Sequence, residues 1–253
     1  MLFTQMAYIG VDPSGGRKPF TYAALDADGK LLALGDGEME DALAFIGGQQ
    51  AAFVAVNAPS GPNRGLVRRQ MEDRSLTPHQ IRGADVRLAE FELRQRGITV
   101  SGTPARAEQC PAWVQAGFAF YRKLAGMGFV PHPVESGSRV WLETHPYACF
   151  CAILEQTPLS KPTLEGRLQR QLALYDQGLG IRDGMDFFEE VTRYKLARGI
   201  LPMEVVYTPE ALDALAAAHT AYVAATRPDE VTLVGDREEG AIVLPVKELK
   251  EKY

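Results

Sequence analysis

Apolar residues come in short continuous runs early in the chain and at helical spacing further on. Tyr8, Ile9 and Val11 make the first run, which predicts a buried strand with Asp12 at its carboxyl end. Pro13 and Gly15-Gly16 stop that strand at once. Phe20–Leu25 predicts a second strand and residues 31–35 a third. Between them Asp28-Gly29 signals a hairpin, because both residues tolerate positive φ. Residues 40–46 are apolar at Ala42, Phe45 and Ile46 and predict a short helix ended by Gly47-Gly48. Ala51–Val56 predicts a buried strand, broken by Asn57-Ala58-Pro59. This fourth strand is expected to return beside the first and parallel to it, through a right-handed crossover. Asn57 then falls at the same sheet edge as Asp12.

From Ser60 to Gly137 the pattern changes to Gly, Pro and Arg among helical spacings. A helix is predicted over 79–96, with Gly97 at its C′ position. A second is predicted over 113–127, where Val114, Phe118, Tyr121, Leu124 and Ala125 recur at helical spacing and read as core. Residues 60–137 thus read as a mostly helical insertion over the sheet edge, within one domain spanning 1–253. Strand character returns over 138–142, with Glu143 where the apolar run ends. Thr144 and Pro146 open a helix that runs through residues 148–154. His145 reads as a surface or capping residue sooner than a ligand or proton carrier. Residues 161–178 hold a further helix, with Lys161, Arg167 and Arg170 near its start. Thr208-Pro209, a good N-cap followed by a good first helical residue, begins the clearest helix, which buries Leu212, Leu215, His219 and Tyr222. Its alanine-lined face predicts close packing on the sheet, with Asp213 in the first turn pointing at the strand ends. Residues 230–234 and 241–246 predict a closing hairpin across Gly235–Gly240.

Composition narrows the class. The chain has 253 residues, 46% hydrophobic and 23% charged, which is ordinary for a globular protein with a core of its own. The formal net charge of −5 excludes a basic nucleic-acid coat. Gly61 to Gly97 is the exception, with eight Arg, no Lys and five acids. All-Arg usage suits phosphate or carboxylate recognition, because the guanidinium fork binds such groups bidentately. Arg64 and Arg87 here, with Lys161 and Arg167, are the candidate substrate contacts. Cys110, Cys149 and Cys151 form no C-x-x-C pair and read as reduced thiols of a cytoplasmic protein. The apolar N-terminus has no basic flank and does not read as a signal peptide. No apolar run reaches the roughly 18 residues of a membrane span.

Asp12, Asn57, Glu143 and Asp213 come from three strand ends and one helix start. Acids that converge on one sheet edge suit hard, oxygen-seeking cations such as Mg²⁺ or Mn²⁺. Such ions activate water and stabilise the leaving oxygen in phosphodiester hydrolysis. Without a cation, crowded carboxylates repel and some stay protonated.

The chain resembles the domain-of-unknown-function 429 proteins, predicted nucleases with a ribonuclease H-like fold. The resemblance runs over nearly the whole chain. It is carried by YIGVDPSGG, VNAPSG, RLAEFELRQRGITV with FYRKLAGMGF, LETHPYACFCAIL with PLSKPTLEGRLQRQLAL, and ALDALAAAHTAYVA with GDREEGAIVLP. It implies an α/β fold: a mixed five-stranded sheet in the order 3-2-1-4-5, flanked by helices, with the insertion between strands four and five. It also implies an acid site, carried over to Asp12, Glu143 and Asp213. The family usually has aspartate where this chain has Asn57, so one negative charge is missing and a second ion is held less well.

The leading expectation is a Mg²⁺-dependent nuclease or other phosphodiester hydrolase. Asp12, Glu143 and Asp213 hold metal, Asn57 assists, and the arginines contact nucleic-acid or other phosphates. One alternative is a nucleotide-binding or phosphotransferase protein of the actin and sugar-kinase type, its glycine turn cradling phosphate. Another is a non-catalytic binding module that lost its site with Asn57.

Overall fold

The computed structural model describes residues 6–15, 18–72, 85–134 and 136–253. Its centre is strand β1 (Met6–Asp12), apolar and buried on both faces. The chain returns antiparallel in β2 (Phe20–Leu25) and again in β3 (Leu31–Gly37). The β2–β3 turn follows its sequence. Asp26 accepts the N–H groups of Asp28 and Lys30 at 2.9 Å each, and Gly29 takes φ +74°. Helix α1 (Met39–Gly47) opens with a capping box between Glu38 and Asp41 and buries Ala42, Leu43 and Ile46. Strand β4 (Ala51–Val56) lies beside β1 and parallel to it.

The described part of 60–137 holds helices α2 (Leu66–Glu72), α3 (Leu88–Gln95) and α4 (Ala112–Gly126), then the two-residue strand β5 (Val130–Pro131). Helix α3 starts later than predicted. Of the expected 79–96 span, residues 79–84 lie outside the described residues. Arg87 is the N-cap of α3, because Glu90 reaches back to its backbone N–H and closes the helix there. Gly97, at φ +85°, ends it as expected.

Strand β6 (Arg139–Thr144) runs parallel to β4 and includes Glu143. Helices α5 (Pro146–Leu154), α6 (Leu164–Asp176), α7 (Asp186–Glu190), α8 (Arg193–Leu196) and α9 (Pro209–Thr226) follow. The chain closes on the hairpin β7 (Thr232–Asp236) and β8 (Gly240–Leu244). Among the described residues no helix is long and apolar enough to cross a membrane.

The result is a mixed α/β fold whose sheet runs β3-β2-β1-β4-β6-β8-β7, with β5 also paired to β6. Among the described residues the sheet therefore has eight strands, not five. The hairpin is not an appendage: β8 pairs parallel to the end of β6 at Glu143 and Thr144. It joins because Ile242 and Leu244 bury against Ala148, Cys149 and Cys151 of α5.

The two faces of the sheet are covered differently. One packs on α1 and α4 through Ile9, Val54, Ile46 and Phe120. The other packs on α9, whose thirteen buried residues are mostly alanine. Small side chains let the α9 backbone come down onto β1. A Cβ at Gly10 would lie 2.0 Å from the Ala214 carbonyl and 2.2 Å from the Ala218 nitrogen. This contact carries the first turn of α9, and Asp213 with it, over the carboxyl ends of the strands.

Candidate functional site

The parallel register sets the site. Val11 of β1 pairs with Val56 of β4, and Val56 pairs with Glu143 of β6. The residues at these strand ends face a cavity of about 300 Å³ outside the carboxyl edge. Asp12, Asn57, Glu143, Asp213 and Lys161 all line it, with Arg87, Trp113 and His145. The four residues expected at one edge therefore meet in one cavity, but they fall into two groups with different partners.

The first group is Asp12, Asn57, Asp213 and Lys161. The Asn57 side-chain amide donates to Asp12 Oδ1 at 2.6 Å. Lys161 Nζ donates to Asp213 Oδ2. Burial, and then the charge of Asp213, push the Asp12 carboxyl up to about 7, against the opposing pull of Asn57 and Lys161. Asp213 is also raised, chiefly by burial, although Lys161 works the other way. Burial disfavours the Lys161 ammonium, but Asp213 and Asp12 outweigh it and hold the group above the ordinary lysine value. Two carboxylates thus share one ammonium. The cluster has a place for one more positive charge, which at neutral pH a proton on Asp12 partly supplies.

The second group is Arg87, Glu90, Glu143 and Glu239, all buried. Arg87 grips Glu143 with both terminal nitrogens, one at 3.0 Å from Oε2 and the other on Oε1. The Ser60 N–H donates to Glu143 Oε2 at 2.8 Å. Arg87 Nε donates to Glu90 at 3.0 Å, and Glu90 also takes the Thr103 N–H at 2.9 Å. Glu239 accepts the backbone N–H groups of Arg64, Leu66 and Leu88 at 2.7, 3.1 and 2.9 Å. Burial works against the Arg87 guanidinium, yet Glu143 and Glu90 keep it fully charged. Gly240 belongs to this packing. It has φ +95°, and a Cβ there would lie 2.4 Å from Ser60 Oγ and 2.8 Å from Glu143 Oε2.

These partners change several expected roles. Glu143 does not stand free as a metal ligand, since both its oxygens already accept protein donors. Among the described residues no group of three or more His, Cys, Asp or Glu is placed to hold a metal ion. Asp12 and Asp213 remain without a second ammonium between them, and among the described residues the expected three-carboxylate set is not assembled. Arg87 is 1% exposed and committed to Glu143 and Glu90, so it is no free phosphate contact. Arg167 spends its donors on the Tyr207 and Val206 carbonyls, both at 2.7 Å, and so fixes the approach to α9. Arg64 is exposed, and its backbone is held by Glu239. Of the four expected contacts, Lys161 is the one that lines the cavity beside Asp12 and Asp213.

His145 caps α5. Its Nδ1 accepts the Ala148 N–H at 3.2 Å, which requires that nitrogen to be unprotonated. Burial lowers its pKa to about 4, so the ring is neutral at the cavity wall. Glu90, Thr103 and Glu239 escaped the sequence reading. Arg87 and Glu90 do carry one local sign, opposite charges three residues apart at a helix start. Glu239 carries none, because its three N–H partners come from a distant part of the chain.

A protein-family model described as "Protein of unknown function (DUF429)" matches residues 10–239. No curated protein and no solved structure matches.

Proposed function

We propose, from the premise that this chain belongs to the DUF429 family of proteins of unknown function, that its carboxyl-edge cavity is the acid centre of a metal-dependent phosphodiester hydrolase of the ribonuclease H-like type. The observation that carries this reading is the meeting of Asp12 and Asp213 at the cavity with one ammonium, Lys161, bonded to the pair, where burial first and then the Asp213 charge raise Asp12 to about 7. Buried carboxylates short of positive charge suit a divalent cation. The strand order β3-β2-β1-β4-β6, antiparallel and then parallel, supports the fold part of the reading.

Asp12 and Asp213 would hold one Mg²⁺ or Mn²⁺, and a bound ion supplies the charge that polarises a phosphodiester and activates water. The protein's own groups do the rest. The Asn57 amide fixes the carboxylate plane of Asp12. Lys161 neutralises Asp213 in the resting site and is within reach of an anionic substrate in the cavity. Neutral His145 and the Trp113 side chain wall the cavity. Glu143 acts as a positioning residue: through Arg87 and the Ser60 N–H it ties the loop after β4 to the end of β6.

Calorimetry with Mg²⁺ and Mn²⁺ tests this. The wild type should bind one ion and release about half a proton at pH 7, rising towards one near pH 6, because the ion replaces the proton on Asp12. Asp12→Asn should abolish binding, Asn57→Asp should tighten it or add a second ion, and Glu143→Gln should keep the ion if the protein stays folded. No binding by either wild type or Asn57→Asp would sink the proposal. The Lys161–Asp213 pair favours a second reading, a metal-free binding module in which Lys161 receives an anionic ligand. In that case Lys161→Met would lose phosphate binding while divalent ions had no effect in any variant.

A further inference from the structure

The stretch between α6 and α9 exposes apolar surface that the fold does not use. Residues 185–203 hold seven of the fourteen large apolar side chains that stand exposed among the described residues. Scattered single exposures need no explanation, but half of the total within one short stretch does. Tyr194 and Leu196 are 63% and 58% exposed, and Phe188 and Ile200 are more than half exposed. The stretch is anchored from below. Phe187 is buried with Leu168, Val205 and Val206, while Phe188 beside it faces outward. The Arg198 guanidinium lies 3.7 Å from the Tyr194 ring centre, which holds the ring on the surface.

Charge identifies the occupant. Asp183, Asp186, Glu189 and Glu190 precede and form an acidic half around α7. Arg193, Lys195 and Arg198 follow and form a basic half around α8. Among the described residues the two halves share one ion pair, Lys195–Glu190 at 3.8 Å. A nucleic acid or an anionic bilayer favours one sign of charge; this stretch carries both, the acids in its first part and the bases in its second. A two-fold contact sets each half against the other, because residue i meets j and j meets i. We propose that residues 183–203 are a self-association surface. A second copy of this chain docks there with its acidic half on the basic half of the first, around an apolar centre of Phe188, Tyr194, Leu196 and Ile200. Such a centre with a charged rim is the usual anatomy of a protein–protein interface.

Sedimentation equilibrium of the full chain tests this. The wild type should dimerise reversibly. Leu196→Asp should be monomeric with an unchanged circular dichroism spectrum, and Tyr194→Ser should behave likewise should Leu196→Asp fail to fold. Glu189→Lys with Glu190→Lys should weaken the dimer about tenfold or more, since like charges then face each other. Adding Arg193→Glu and Arg198→Glu to that pair should restore it, because both halves are then reversed. A wild type that is monomeric at every concentration overturns the proposal. So does a dimer untouched by these changes, or a monomer that instead co-sediments with anionic vesicles or single-stranded nucleic acid.

Discussion

Two acid clusters line one cavity, and they are built in opposite ways. Around Arg87, the carboxylates of Glu143, Glu90 and Glu239 are buried and richly supplied with donors from a guanidinium and six backbone N–H groups. Around Lys161, Asp12 and Asp213 have one ammonium and one amide between them. The first cluster is a joint: it ties α3, the loop after β4, β6 and the turn before β8 together. The second is left short of positive charge. Carboxylates alone therefore do not mark reactivity at a sheet edge. What separates a structural acid from a chemical one is whether the protein itself satisfies its charge.

The contrast is broken hardest at Arg87. Arg87→Met keeps most of the side-chain volume but leaves Glu143 and Glu90 buried without their counter-charge, which costs about 3–5 kcal/mol. Urea unfolding should show that loss, and a change under about 1 kcal/mol would mean that the joint carries little. Gly240→Ala comes next. It forces a side chain into left-handed backbone and against Ser60 and Glu143, at a cost of about 1–3 kcal/mol, also read by urea unfolding.

A pH dependence sharpens the other side of the contrast. The Asp12 carboxyl is raised to about 7 in the folded chain, against about 4 when unfolded. Between those values the folded chain keeps a proton that the unfolded chain has released. Its contribution to stability is complete below pH about 4 and is lost as the pH rises through about 7. Asp12→Asn should flatten that fall in melting temperature across pH 4 to 8, while Glu143→Gln leaves it in place. Equal slopes in wild type and Asp12→Asn would show that Asp12 is already balanced at neutral pH.

Much of the frame was legible because its signals are local. The run 8–11 ending at Asp12, the Asp28-Gly29 turn, and Thr208-Pro209 before an alanine-rich helix each act within a few residues. Each matches β1, the β2–β3 turn or α9. The later start of α3 was less legible, since helical spacing upstream of Arg87 competes with a capping box that uses a side chain three residues on. The pairing of β8 with β6 was not legible at all: two residues of register, held by burial against α5, leave no pattern in either strand.

The same division runs through the site. Strand ends and helix starts are consequences of local backbone preference and apolar periodicity, so the chain alone placed Asp12, Asn57, Glu143 and Asp213 at one edge. Partnership acts through space. Arg87 lies 56 residues from Glu143, and Lys161 lies 52 from Asp213. Only the folded packing, with α9 resting on Gly10 and Arg87 and Ser60 drawn onto the end of β6, decided which acids were neutralised and which pair was left with a single ammonium.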